Sequence, residues 1–163
     1  VSGTRNQRKR RIEAVNDVNT GEARPRRPVH LWIVGVLAFL WTLMGAFDYL
    51  ATQLELEFYM SQFTPEQLAY FNAFPAWMVA FWAFGVWGAF VGAIGLLLRK
   101  KWAVWAFAVS IVGLLVTTIY NFGITNGAEI MGTGAIIFSV VIWIVAIFLL
   151  YYSWAQAKRG VLV

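Results

Sequence analysis

The sequence predicts an all-α membrane protein of four transmembrane helices, with a short interfacial helix in the first outer loop. Three observations carry this. Of 163 residues, 60% are apolar and only 13% charged, more apolar surface than so small a water-soluble chain can bury. The charges are segregated, with 11 of the 21 in the first 30 residues and long stretches holding none. Four apolar runs, 31–52, 76–98, 102–124 and 135–154, each have about the 20 residues that cross a hydrocarbon core as a helix. None shows the polar face that a helix of a small soluble domain keeps.

Residues 1–28 read as a basic, unstructured segment ahead of a transmembrane domain over 29–163. Arg5, Arg8, Lys9, Arg10, Arg11, Arg24, Arg26 and Arg27 face only Glu13, Asp17 and Glu22, with little to bury. Pro25 and Pro28 stop any helix from running unbroken into the first span. The Arg8-Lys9-Arg10-Arg11 run suits anionic lipid at the inner surface, and no nucleic-acid partner is expected. The first apolar run is too long for a signal-peptide core, and Phe47-Asp48-Tyr49-Leu50 lacks a small-x-small cleavage site, so the span stays in the mature protein.

After the first span, Thr64-Pro65-Glu66-Gln67 combines an N-cap, a proline at the first helical position and a capping-box glutamine. A short helix starts there. Leu68 with Phe71 and Tyr70 with Phe74 give it an apolar face that suits the membrane interface. Arg99-Lys100-Lys101 is the whole connection between the second and third runs, so these form an antiparallel hairpin. Gly123, Gly127, Gly132 and Gly134 are read as turn residues of the second outer loop.

All 13 basic residues fall in the N-terminal segment, the 99–101 connection and the C-terminal end. Such residues resist translocation. With three N-terminal carboxylates they leave +10 inside, against −5 outside from Asp48, Glu55, Glu57, Glu66 and Glu129. The expected location is a bacterial inner (cytoplasmic) membrane, multi-pass, with both termini cytoplasmic. Trp32, Trp77, Trp102 and Trp154 stand near span ends as interfacial anchors. Trp41, Trp82, Trp87, Trp105 and Trp143 lie deeper and read as packing against lipid, with a groove for pigment, quinone or lipid as the alternative.

Small residues allow close helix approach in lipid. The second run carries Gly85, Gly88, Gly92 and Gly95, the first aligns Gly35, Ala38, Thr42, Gly45 and Tyr49, and the third aligns Ala103, Ala106, Ser110, Gly113 and Thr117. These are the expected buried faces, serving the bundle or self-association. Asp48 is the only ionisable carboxylate inside a span, and such a group is costly unless paired or wetted. Tyr49, Thr52, Gln53, Thr117, Thr118, Tyr120 and Asn121 fall near its depth, and together they outline a possible polar pocket. The plainer reading is an interfacial aspartate bonded to Tyr120 or Asn121.

No catalytic constellation appears. His30 is alone, there is no cysteine, no phosphate loop and no facing carboxylate pair, so neither enzyme activity nor any metal or cofactor is expected.

His30-Leu31-Trp32, Met44-Gly45-Ala46-Phe47-Asp48-Tyr49, Tyr59-Met60-Ser61-Gln62-Phe63-Thr64-Pro65-Glu66-Gln67, Phe74-Pro75-Ala76-Trp77 and Ala157-Lys158-Arg159-Gly160-Val161-Leu162 resemble a family of short, uncharacterised four-helix membrane proteins of proteobacteria. The resemblance covers the chain from His30 onward and implies no activity, although some members carry an automatic label of sugar transporter. The expectation is a non-enzymatic membrane component that packs as a homo-oligomer or in a larger membrane complex. The alternative is a small-solute, sugar-like transporter working as an oligomer.

Overall fold

The computed structural model describes residues 6–11 and 29–163. Residues 6–11 are helical (α1), which corrects the unstructured reading there; arginine, lysine and glutamine are good helix formers. The rest of the expected unstructured segment lies outside the described residues. Then follow α2 (Val29–Gln53), α3 (Glu57–Met60), α4 (Pro65–Asn72), α5 (Ala76–Leu97), α6 (Trp102–Ile119), a π-helical turn (Tyr120–Ile124) and α7 (Gly127–Lys158). No strand occurs among the described residues.

The helices α2, α5, α6 with its π turn, and α7 are long and apolar enough to cross a membrane. Large apolar side chains such as Leu37, Trp105, Ile137 and Ile144 point away from the bundle, and Trp105 is 76% exposed. Lipid is the solvent that suits such a surface. The chain is a multi-pass membrane protein with an all-α, four-helix fold.

Local chemistry sets the helix ends. Thr64 caps α4: its hydroxyl accepts from the Gln67 backbone N–H, and the Gln67 side chain accepts from the Thr64 N–H, closing the capping box. Where α2, α5 and α7 end, the chain turns through residues of positive φ, Glu55, Arg99 and Gly160. Each turn closes with a 6→1 bond, from Leu56 N–H to the Ala51 carbonyl, Lys100 to Gly95 and Val161 to Gln156.

Two boundaries differ from the sequence reading. The third span changes at Tyr120 from α to π, where the Thr125 N–H reaches back five residues to the Tyr120 carbonyl and the Thr125 hydroxyl bonds the same oxygen. The fourth helix starts at Gly127, eight residues early, because its first turns pack on α4: the Gln67 amide donates to the Ile130 carbonyl at 3.4 Å. Gly132 then breaks the helix at φ 76° and ψ 178°, a conformation open essentially to glycine alone. Of the four glycines read as turn residues, Gly123 sits in the π turn, while Gly127, Gly132 and Gly134 belong to α7.

The long helices pack in series, α2 on α5, α5 on α6 and α6 on α7, and α2 and α7 do not pack along each other. They meet at the Arg99 end of the bundle. There Leu31, Leu149 and Leu162 join one buried cluster, and His30 Nδ1 and the Tyr152 hydroxyl lie 2.6 Å apart. The chain end seals this side: Val163 N–H donates to the Arg99 carbonyl (2.7 Å), Lys101 N–H to Val163 (3.1 Å), and Arg99 Nε to Val161 (3.0 Å).

Candidate functional site

The small-residue faces are used inside the bundle. Ser110 donates its side-chain hydroxyl to the Gly85 carbonyl at 2.5 Å, which ties α6 to the α5 backbone. A Cβ on Gly88 would stand 3.0 Å from the Ala106 carbonyl oxygen, and one on Gly92 would meet the Phe107 ring at 2.9 Å. At Gly95 it would meet Trp102 at 2.7 Å, and at Gly113 the Gly85 Cα at 2.8 Å. Gly45 is different. A Cβ there meets nothing within 4 Å, and the residue lines a cavity.

That cavity, about 650 Å³, fills the space left where α2 and α7 part. Its walls come from α2, α5, α6 and α7, and its Asp48 end is covered by Tyr59 of α3 with Tyr70 and Phe71 of α4. α7 lines it on both sides of the Gly132 break, through Gly127 and Met131 before it and at helical spacing through Ala135, Ile142 and Leu149 after it. At 1.5 Å per residue the unbroken part of this face, from Ala135 to Leu149, is about 20 Å long, about two thirds of the thickness of a hydrocarbon core. In its most apolar stretch α7 is only 6% buried, against 22–28% for the other spans, since the face it would pack borders the cavity. Met44, Phe47 and Phe138 both line the cavity and are exposed, so it opens sideways between α2 and α7. Trp41 and Phe138 reach across this opening, ring centroids 6.1 Å apart.

Polar groups gather at one end. Among the described residues Asp48 is the only charged one lining the cavity. Its Oδ1 accepts from the Tyr59 hydroxyl, not from Tyr120 or Asn121, which corrects the partner expected from span depth. The three-residue link after α2 folds α3 back onto the end of its own helix, whereas Asn121 lies across the bundle. Among the described residues Asp48 Oδ2 has no hydrogen-bond partner, and none of their side-chain oxygens or nitrogens is both sealed off and unbonded, so Oδ2 is accessible on a residue that lines the cavity. The Tyr59 phenol is shifted above its ordinary range, first by burial and then by the hydrogen bond and charge of Asp48.

Asn121 belongs to a second cluster. Tyr70 donates to Asn121 Oδ1 at 2.7 Å, its oxygen lies 2.7 Å from the Thr125 hydroxyl, and Asn121 Nδ2 donates to the Thr117 carbonyl. Burial raises the Tyr70 phenol first, with Thr125 opposing and Tyr120 adding. Thr117 and Thr118 line the cavity with Asn121, but their hydroxyls bond carbonyls of their own helix; Trp143 Nε1 in turn donates to Thr118 at 3.0 Å.

Four residues of the proposed pocket stand elsewhere. Tyr49 packs edge-on against Trp82 and Trp87, Tyr120 against Phe74 and Trp77, Gln53 is exposed, and Thr52 bonds the Asp48 carbonyl; none of them lines the cavity. Sequence reasoning missed Tyr59 and Tyr70, the two hydroxyls that organise the polar end. The available signal was the density of aromatics over 58–74, read there only as interfacial.

Among the described residues no group of three or more His, Asp or Glu could hold a metal. No family model, curated protein or solved structure matches the chain.

Proposed function

We propose that the protein is a non-enzymatic component of a bacterial cytoplasmic membrane that binds an apolar or amphipathic small molecule between its first and last spans. The observation that carries this is the 650 Å³ cavity with its sideways opening, a size that ordinary small-molecule sites share. The charge distribution supports cytoplasmic termini, which puts the Asp48 end on the outer side. The residues quoted from His30 onward support membership of the family of short proteobacterial membrane proteins.

Sugar-like transport is the weaker reading. A sugar needs many convergent hydrogen-bond partners, but the hydroxyls of Thr42, Ser110, Thr117 and Thr118 are committed to helix carbonyls. Self-association through Gly85, Gly88, Gly92, Gly95 and Gly113 is also weakened, because those positions face partners within the chain.

The test is native mass spectrometry from mild detergent, comparing the unaltered protein with Gly45→Phe. Gly45 lines the cavity and a Cβ there meets nothing within 4 Å, so the substitution adds bulk at the cavity wall without a clash at Cβ. A small molecule retained by the unaltered protein and absent from the variant supports the reading; equal retention by both opposes it.

A further inference from the structure

The Asp48 end of the cavity combines one carboxylate with a wall of aromatic rings. Phe47 and Tyr59 meet edge-on with centroids 6.1 Å apart, and the series continues through Phe63 and Phe71 to Phe74 at 5.2–5.8 Å. Phe47, Tyr59, Tyr70, Phe71 and Phe74 all line the cavity. Aromatic faces attract cations, most strongly where water is excluded, and a carboxylate oxygen without a protein donor accepts from an N–H⁺. Among the described residues no lysine or arginine lines the cavity; Arg99, Lys100, Lys101, Lys158 and Arg159 belong to the opposite end of the bundle. The carboxylate therefore lacks a cation from within the cavity, and a ligand can supply one.

We propose that the cavity binds a single-chain amphipathic amine, its ammonium group between Asp48 Oδ2 and the aromatic wall and its hydrocarbon chain along the α7 face from Ala135 to Leu149. The inference rests on the cavity being a binding site and adds the charge of the ligand. The same charge pattern selects against phospholipid headgroups: a phosphate would meet Asp48 with no basic residue among the described lining to balance it, and like charges in a low-dielectric site repel. An alcohol of the same length fills the same apolar space but leaves Asp48 without a counter-ion. A carboxylate of that length is repelled.

Equilibrium binding of radiolabelled dodecylamine and dodecanol to the full chain in nanodiscs, corrected for protein-free nanodiscs, tests this. The expected result is one saturable amine site per chain, about tenfold or more tighter than the alcohol site, as a charge-assisted hydrogen bond implies. Asp48→Asn removes that preference and leaves dodecanol within twofold. Gly45→Phe weakens both probes. Equal affinity for amine and alcohol in the unaltered protein overturns the cation assignment while the cavity reading stands, and this arm needs no variant to fold. Saturable binding of neither probe, or binding of both that is indifferent to Gly45→Phe, overturns the cavity reading itself. Tight, competing binding by lysophosphatidylethanolamine would show that a phosphate is tolerated and overturn the selection for a simple amine.

Discussion

Gly113→Ala tests how closely α5 and α6 approach. The added Cβ would stand 2.8 Å from the Gly85 Cα and crowd the Gly85 nitrogen and the Phe81 carbonyl, all backbone atoms that cannot swing aside. Carbon contacts settle near 3.5–4.0 Å, so the helices must part by about 1 Å. That opening would stretch the 2.5 Å bond from Ser110 to the Gly85 carbonyl to the limit of a hydrogen bond. Overpacking costs about 1–3 kcal/mol, a weakened hydrogen bond adds about 1 kcal/mol, and alanine returns about 1 kcal/mol of helix propensity. The net loss is about 1–3 kcal/mol, or roughly 5 °C in melting temperature for a chain of this length. Gly45→Ala is the matched control: it gains the same propensity and meets nothing within 4 Å, so it should melt no lower than the unaltered protein. Fluorescence-detected size exclusion after heating in mild detergent reads both. Equal shifts for the two variants would refute the close approach.

Three further predictions follow from other contacts. The Tyr59 phenol has a folded-state pKa above its ordinary value of 10.0, so its contribution to stability is complete below that pH and declines as pH rises past it; Tyr59→Phe should lose this alkaline decline in thermal melts between pH 9 and about 11. Leu162→Ala empties a fully buried site in the seal at the Arg99 end and should cost about 2–4 kcal/mol, whereas Val163→Ala, at an exposed position, should cost little. Reporter fusions within 53–74 and after Asn126 should report the periplasm, and fusions at Lys100 or the C-terminus the cytoplasm; a periplasmic C-terminus would contradict the proposed orientation.

The features legible in the sequence are those set locally. Twenty apolar residues make a span in any company, and Thr64 to Gln67 carry a capping box whatever surrounds them. The short 99–101 link leaves the second and third spans no choice but a hairpin. Depth counted along the helices, by contrast, put Asp48 beside Tyr120 and Asn121 but carried no information about rotation. A rotation about α6 decides that Asn121 lines the cavity while Tyr120 turns to Phe74 and Trp77. The fold-back of α3, which delivers Tyr59, is tertiary and has no periodic signature. Gly132 in the sequence says only that an unusual φ is allowed; packing on α4 decides that helix precedes it. The cavity is legible last of all, because an unfilled space depends on where two helices diverge and has no residue pattern of its own.

Photolabelling in a bilayer tests the central claim most directly, with a long-chain alcohol that carries a diazirine midway along its chain. Met131 and Ile142 line the cavity, whereas Ile137 and Ile144, at overlapping depth on α7, face outward with 60% and 63% of their surface exposed. The account predicts that the part of the labelling competed by unlabelled alcohol maps to Met131 and Ile142 and disappears in Gly45→Phe, while labelling of Ile137 and Ile144 is not competed. Competed labelling confined to Ile137 and Ile144, or none on the inner face, would contradict it.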